Sequence, residues 1–372
     1  MIKKKDLYER RRKKYKRKKK FIYFVKIFLL LLFFIENQTI NKQLFKSKQR
    51  IINKYFYKPQ IFNKINTSNN LSFSSLNISD LTLNKNLTKL NHKNRTFAII
   101  RKECNICGLF SFYIYYLGCA TQYINLGYIP IIDLKTHPNV YNGFNTSINY
   151  NPWELFFEQP YGYKMDEVLK KEKNIVYIRC IESIKRPEEL DIYYHKDLIN
   201  YWHNLGKKYI PIKREIIMES NSIMKNLFNN SKNVLGVKFR GTDYIKLKPK
   251  GHPKPPNIED AIQDVKKMYL KNKYDWIFFA SEDEKIKEKF IKEFKNNIKY
   301  LNPIKKINYT NYFFVKNKDV CGNAEYSKNY VMNIYILSKC IDIVMTRGSG
   351  GAGIILLTEG FRNSLIYNLG EY

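Results

Sequence analysis

Val234-Leu235-Gly236-Val237-Lys238-Phe239-Arg240-Gly241-Thr242-Asp243-Tyr244 passes from a mostly apolar run to a cation, a glycine, a hydroxyl and a carboxylate. An apolar run without alternation reads as a strand buried on both faces, as in parallel sheets covered by helices. Polar groups at the carboxyl end of such a strand stand where open α/β sheets hold ligands. The Arg240 guanidinium is a rigid fork matched to phosphate oxygens, and Gly241 would let a diphosphate come close to the backbone. A surface ion pair between Arg240 and Asp243 is the plainer alternative.

Two later segments repeat the pattern. Trp276-Ile277-Phe278-Phe279-Ala280 delivers Ser281, Glu282, Asp283 and Glu284 at its end and hands over to a charged helix. Capping of that helix would also account for Ser281 to Glu284, because acids and hydroxyls at a helix start satisfy its free N–H groups. Ile341-Asp342-Ile343-Val344-Met345 runs into Thr346-Arg347-Gly348-Ser349-Gly350-Gly351-Ala352-Gly353 and an apolar helix. Glycine-rich turns at helix N-termini offer backbone N–H groups to anions. Three strand ends of this kind in one half of the chain converge on one crevice.

Working towards the start of the chain, Thr96–Ile100 is a short strand candidate and Gly108 opens a helix to about Asn125. Gly127 stops that helix, and Tyr128–Asp133 is a buried strand. Asn174–Arg179 is a further strand. Strands separated by amphipathic helices predict an α/β architecture of mostly parallel sheets with helices on both faces. The length after residue 95 suits two such domains, 96–232 and 233–372.

The preceding residues read differently. Residues 1–20 carry thirteen Lys and Arg against Asp6 and Glu9, and they run directly into the apolar stretch Phe21–Ile35. The one-sided charge predicts a membrane anchor at 21–35 with residues 1–20 in the cytosol and the rest across the membrane. Fifteen residues is short for a span of about 20, so a buried helix is the competing reading. Residues 36–95 are polar, without sustained periodicity, and read as a stalk; Asn-x-Ser/Thr acceptors begin at Asn37, Asn66, Asn70, Asn77, Asn86 and Asn94. The formal net charge of +33 raises the question of nucleic acid. Outside the tail the cations are spread thinly, with no basic stripe interleaved with aromatics, so no nucleic-acid partner is expected.

Cys104-x-x-Cys107 has zinc or redox spacing, but no second pair or nearby histidine completes a metal site. In an oxidising compartment Cys104, Cys107, Cys119, Cys180, Cys321 and Cys340 would form up to three disulfides. Trp153, Phe156 and Phe157 read as a buried face in preference to a sugar platform. His92, His137, His195 and His203 form no cluster.

In this order the three strand-end segments resemble the donor-binding half of the fucosyltransferase superfamily that includes α-1,2-, α-1,6- and protein O-fucosyltransferases. Members use GDP-fucose on a GT-B-type fold of two Rossmann-like domains facing a cleft. The family's first motif reads His-x-Arg-Arg-x-Asp or close to it, and its leading Arg holds the donor diphosphate. Arg240 occupies that place and Asp243 that of the terminal acid, whereas Lys238 stands for the His and Gly241 for the second Arg. His252-Pro253 follows, as a similar pair does in relatives. Ser281-Glu282-Asp283 resembles the nucleoside-contacting segment, and Ser349 falls where a family Ser contacts the donor. Gly108 to Asp133 and Asn151 to Pro160 are also similar to bacterial proteins of this type.

The resemblance implies a metal-independent, inverting transfer of fucose to a glycan or glycoprotein, with no cofactor beyond the sugar nucleotide. Arg240 and Asp243 would then be catalytic. Lys238, Gly241, Thr242, His252, Ser281, Glu282, Asp283, Arg347, Ser349 and Gly350 would bind the donor. No acid lies between Tyr244 and Gly251, so Asp243, Glu282 and Asp283 remain as candidate bases. The expected setting is a single-pass membrane protein of the Golgi or ER lumen in a eukaryote, or of the cell envelope in a bacterium. An inactive nucleotide- or glycan-binding protein of the same fold, or an anchored scaffold with a basic tail, are the alternatives.

Overall fold

The computed structural model describes residues 95–179, 186, 187, 193, 195–301 and 323–372. The basic tail 1–20, the expected anchor 21–35 and all but the last residue of the expected stalk lie outside the described residues. No helix among the described residues is long and apolar enough to cross a membrane.

Two parallel sheets organise the chain. The first holds β1 (Phe97–Arg101), β2 (Ile129–Asp133) and β3 (Ile175–Arg179) in the order β2-β1-β3. Between β1 and β2 runs α1 (Leu109–Asn125), buried along most of its length. Gly127 ends it at φ 86°: its N–H donates to Ile124 O, and that of Tyr128 to Tyr123 O, satisfying carbonyls the helix leaves open. The outer edge of β2 is closed by two side-chain amides. Asn151 donates to Ile132 O and accepts from Leu134 N, while Gln159 donates to Ile132 O and accepts from Ile132 N. Amides thus replace a further strand on an edge that would otherwise be open. Trp153, between them, is fully buried against Tyr113, Tyr116 and Phe157, in keeping with a packing role.

Helices α2 (Met165–Lys171), α3 (Lys196–Tyr209) and α4 (Arg214–Phe228) lead to the second sheet. It contains β4 (Val234–Lys238), β5 (Trp276–Ala280), β6 (Ile298–Lys299), β7 (Asp342–Thr346) and β8 (Asn363–Tyr367) in the order β6-β5-β4-β7-β8, all parallel. Its helices are α5 (Thr242–Leu247), α6 (Ile258–Asn272), α7 (Glu284–Phe294), α8 (Ala324–Ser338) and α9 (Ser349–Leu357). The six strands expected from the sequence are present to within a residue or two. β6 and β8 were not expected. β6 is two residues long, and β8 is a partly exposed edge strand that opens with Asn363 and Ser364, so neither presents an apolar run.

A buried carboxylate holds β8 in place. Asp342, fully buried at the start of β7, accepts from Asn363 N at 2.7 Å, Asn363 Nδ2 at 3.0 Å and Arg362 Nη2 at 2.8 Å, and from the Tyr274 hydroxyl. Burial alone would push its carboxyl up; the hydrogen bonds from Arg362, Tyr274 and Asn363 prevail and hold it below the usual carboxylate range.

Cys104 and Cys107 are joined in a disulfide, and Cys119 is disulfide-bonded as well. Cys340 keeps its thiol, buried beside Gly236, so three disulfides do not form. Among the described residues no group of three or more His, Cys, Asp or Glu side chains could hold a metal ion.

Removing the β7–β8 anchor gives a test. Breaking a buried ion pair costs about 3–5 kcal/mol, and the low end applies because Arg362 is half exposed. At about 2–4 °C per kcal/mol for a fold of this size, Asp342→Ala should lower the melting temperature by roughly 6–12 °C. Since the folded-state carboxyl is depressed, its stabilisation is full above the unfolded carboxylate range near pH ~4 and is lost as pH falls below it. The deficit should therefore shrink in melts at about pH 3, and a deficit that is the same at pH 3 and pH 7 would refute this role.

Candidate active site

From β4 the second sheet runs one way through β5 to β6 and the other way through β7 to β8. The β4/β7 junction is therefore the switch point of an open α/β sheet, where the carboxyl ends of two strands leave a crevice for ligands. Each strand ends there in the residues singled out by sequence.

Lys238 closes β4 and is buried. Its side chain crosses the first turn of α9: a Cβ added to Gly350 would lie 2.9 Å from Lys238 Cε, 3.4 Å from its Nζ and 2.6 Å from the Tyr330 hydroxyl. Arg240 follows, its guanidinium 4.2 Å over the Tyr244 ring. Tyr330, on α8, packs edge-on to Phe110 of α1 at 5.9 Å. Burial pushes its phenol up, the Glu282 carboxylate adds to this, and Arg240 acts in the opposite sense. Residues from β4, β5 and α8 therefore share one electrostatic environment.

The first half of the chain closes the other side. Tyr141, in the segment after β2, is raised by burial and then by Tyr330, against a hydrogen bond from the Leu109 N–H and the charge of Arg240. Gly108, at the start of α1, faces the Ser349 hydroxyl at the start of α9; a Cβ added to Gly108 would lie 3.9 Å from Ser349 Oγ. Neither helix has a side-chain cap from its N-cap residue or an acid in its first turn. Two positive helix ends and two cations thus meet at one crevice, a geometry that favours an anion.

The other candidates have defined partners. Asp283 is buried and caps α7, accepting from Lys285 N at 2.9 Å and Ile286 N at 3.3 Å, and Ser281 Oγ accepts from Asp283 N at 3.1 Å. The space beside Gly241 is filled by Ile286 and Asp283, so packing accounts for that glycine. Arg347 donates to Asn368 Oδ1 at 2.7 Å and to Glu371 Oε1 at 3.1 Å, tying the last residues of the chain to β7. His252 is exposed, its ring 5.2 Å from that of Tyr244, and Pro253 bridges to Glu371. Thr242 and Asp243 open α5; their side chains lie outside what is described. Sequence reading passed over Tyr141, Tyr244 and Tyr330 because the chain has 30 tyrosines and nothing in their spacing separates these three.

Fold and crevice define a doubly wound α/β protein with a cation-lined cleft at a strand switch point. The chain matches no protein family by sequence profile and no curated protein by sequence. Among solved structures it is similar to NodZ α-1,6-fucosyltransferase soaked with GDP-fucose, at 13% identity and TM-score 0.43, over 71% of this chain and 93% of that one. Fucosyltransferase NodZ from Bradyrhizobium matches at 13% identity and TM-score 0.41, over 72% and 94%. POFUT1 in complex with GDP matches at 8% identity and TM-score 0.42, over 73% and 98%.

Inorganic pyrophosphate should bind this crevice, and Gly350→Ala should weaken it. The added methyl must displace the Lys238 stem or the Tyr330 hydroxyl. Losing one charge-assisted hydrogen bond, about 1.5–3 kcal/mol, corresponds to roughly tenfold or more in affinity. Calorimetry on Gly350→Ala showing wild-type affinity would remove Lys238 from the site.

Proposed function

We propose that the chain is a glycosyltransferase, an inverting fucosyltransferase that moves fucose from GDP-fucose to a hydroxyl of a glycan or glycoprotein. The observation that carries this reading is the meeting of Lys238, Arg240 and the α9 N-terminus at the β4/β7 switch point, opposite Gly108 and Tyr141. The resemblance of the Lys238–Asp243 segment to the fucosyltransferase donor motif supplies the sugar nucleotide.

In the reaction the acceptor oxygen forms a bond to the anomeric carbon as the bond from that carbon to the diphosphate breaks. Negative charge grows on the departing phosphate oxygens. Arg240 and Lys238, with the N–H groups opening α9, are preorganised to meet it, and a single such donor contributes about 2.7–4 kcal/mol to the transition state. The acceptor proton needs a base. Asp283 commits Oδ1 to two N–H groups of α7, and of the candidate carboxylates Glu282, which acts on Tyr330 together with Arg240, is the one assigned to this step. The protein works without a metal in this proposal. The disulfides at Cys104–Cys107 and Cys119 support a lumenal or extracytoplasmic setting, with residues 21–35 as the anchor.

GDP should raise the melting temperature by mass action and UDP or CMP much less; equal shifts with all three would dismiss the guanosine donor. Arg240→Lys should cut turnover by about 10²–10³ without lowering the melting temperature, because an ammonium cannot hold two phosphate oxygens in one plane. Arg347→Ala, which frees Asn368 and Glu371, should instead register in stability. Glu282→Gln should keep GDP affinity and lose turnover. Near-normal turnover in both Arg240→Lys and Glu282→Gln would show that transfer occurs elsewhere.

A further inference from the structure

The first sheet has a switch point of its own. In the order β2-β1-β3 the chain goes from β1 to one side and then to the other, so the β1/β3 junction opens a second crevice at carboxyl strand ends. Arg101 ends β1, Arg179 ends β3 in direct register with it, and Lys102 follows Arg101.

Their surroundings are constructed around Lys102. Its backbone N–H donates to the Tyr116 hydroxyl at 3.2 Å, and that hydroxyl donates to Asp133 O at 2.9 Å, fixing the main chain. Its half-buried ammonium lies 4.5 Å from the Tyr115 ring centre and 5.6 Å from that of Phe112. The loop beyond is closed by the Cys104–Cys107 disulfide and held by Asn105, whose carbonyl accepts from Val140 N at 3.0 Å. Among the described residues two acids neighbour the place: Glu103 is engaged by Arg101 at 3.9 Å and Arg179 at 3.2 Å, and Asp133, in register with Arg101, accepts from Lys135 N, Thr136 N and the Thr136 hydroxyl. Burial, and then the charge of Arg186, pull the Lys102 ammonium down to about 8, and an arriving anion would oppose this shift through its charge. Phe112 links this place to the donor crevice through a ring contact of 6.0 Å to Tyr141.

We propose that the β1/β3 switch point is an anion subsite for the acceptor, in which Lys102, flanked by Arg101 and Arg179, takes a carboxylate, sulfate or phosphate group that the acceptor carries. This deepens the glycosyltransferase reading and rests on it for the word acceptor; the subsite itself rests on the first sheet alone. The acceptor would then be an acidic glycan or glycoprotein, its charged group held on one side of Tyr141 while the attacking hydroxyl meets the donor on the other.

The full chain, with GDP saturating the donor crevice, is titrated by calorimetry with glucuronate and, separately, with inorganic sulfate. Saturable binding of either is expected, weakened tenfold or more by Lys102→Gln and by Lys102→Met, largely kept by Lys102→Arg, and untouched by Arg240→Lys. Preference for glucuronate assigns a carboxylated sugar, and preference for sulfate a sulfated or phosphorylated one. No saturable binding, or equal affinity in Lys102→Met with an unchanged melting temperature, overturns the subsite. If GDP fails to bind, the donor reading falls by itself, and the same titrations without GDP still decide the role of Lys102.

Discussion

Helix α9 must lie in near contact with elements of both sheets, and the rest of the molecule accommodates that demand. Its first turns are Ser349-Gly350-Gly351-Ala352-Gly353, and every small residue there faces protein. A methyl at Gly350 would meet Tyr330 and Lys238, one at Gly351 would lie 2.8 Å from the Tyr193 hydroxyl, and one at Gly353 would enter the Phe110 ring. Three glycines in a short helix cost about 1 kcal/mol each relative to alanine. Close packing returns that cost: it lets the aromatic face of α1 rest on α9 and brings Gly108 to Ser349. The helix gains no stability from its own composition; it holds its place because it is buried on all sides.

That observation changes what the glycine-rich run means. Read as sequence, Gly348 to Gly353 suggests a loop through which phosphate reaches the backbone. In the fold, Gly348 at φ 131° serves the turn that only glycine adopts readily, and Gly350, Gly351 and Gly353 serve helix packing. Gly241 follows the same rule beside Asp283 and Ile286. On the proposed function, access for an anion would come instead from the uncapped start of α9 and from Lys238 lying across it.

The strands were legible because parallel strands buried on both faces leave long apolar runs, and the position of the candidate crevice followed from where those runs end. What could not be read was which partner each strand-end group takes. Arg240 and Arg347 stand at equivalent places, one after β4 and one after β7, and both precede a glycine. Folding gives Arg240 the Tyr244 ring and the company of Tyr141 and Tyr330, whereas Arg347 meets Asn368 and Glu371, about twenty residues further on. Spacing along a chain cannot separate these outcomes, because the deciding contacts come from segments distant in sequence. The same is true of Asp342, which reads as an ordinary strand residue until Arg362 and Asn363 arrive beside it.

Electrostatics adds a further constraint on the crevice. Among the described residues most lysines and arginines are exposed or partly so, where screening beyond about 8 Å makes their charge inexpensive. Lys238 is different, being buried at the positive end of α9 with Arg240 in the same crevice. Like charges in one crevice repel, and the helix dipole has the same sign. Glu282 offsets part of this through its place beside Tyr330. A fold selected for stability alone would put an apolar residue at the end of β4, as Ala280 ends β5. On the proposed function a polyanion would complete the balance, and a departing diphosphate, whose charge grows during transfer, would be matched more strongly at the transition state than in the ground state.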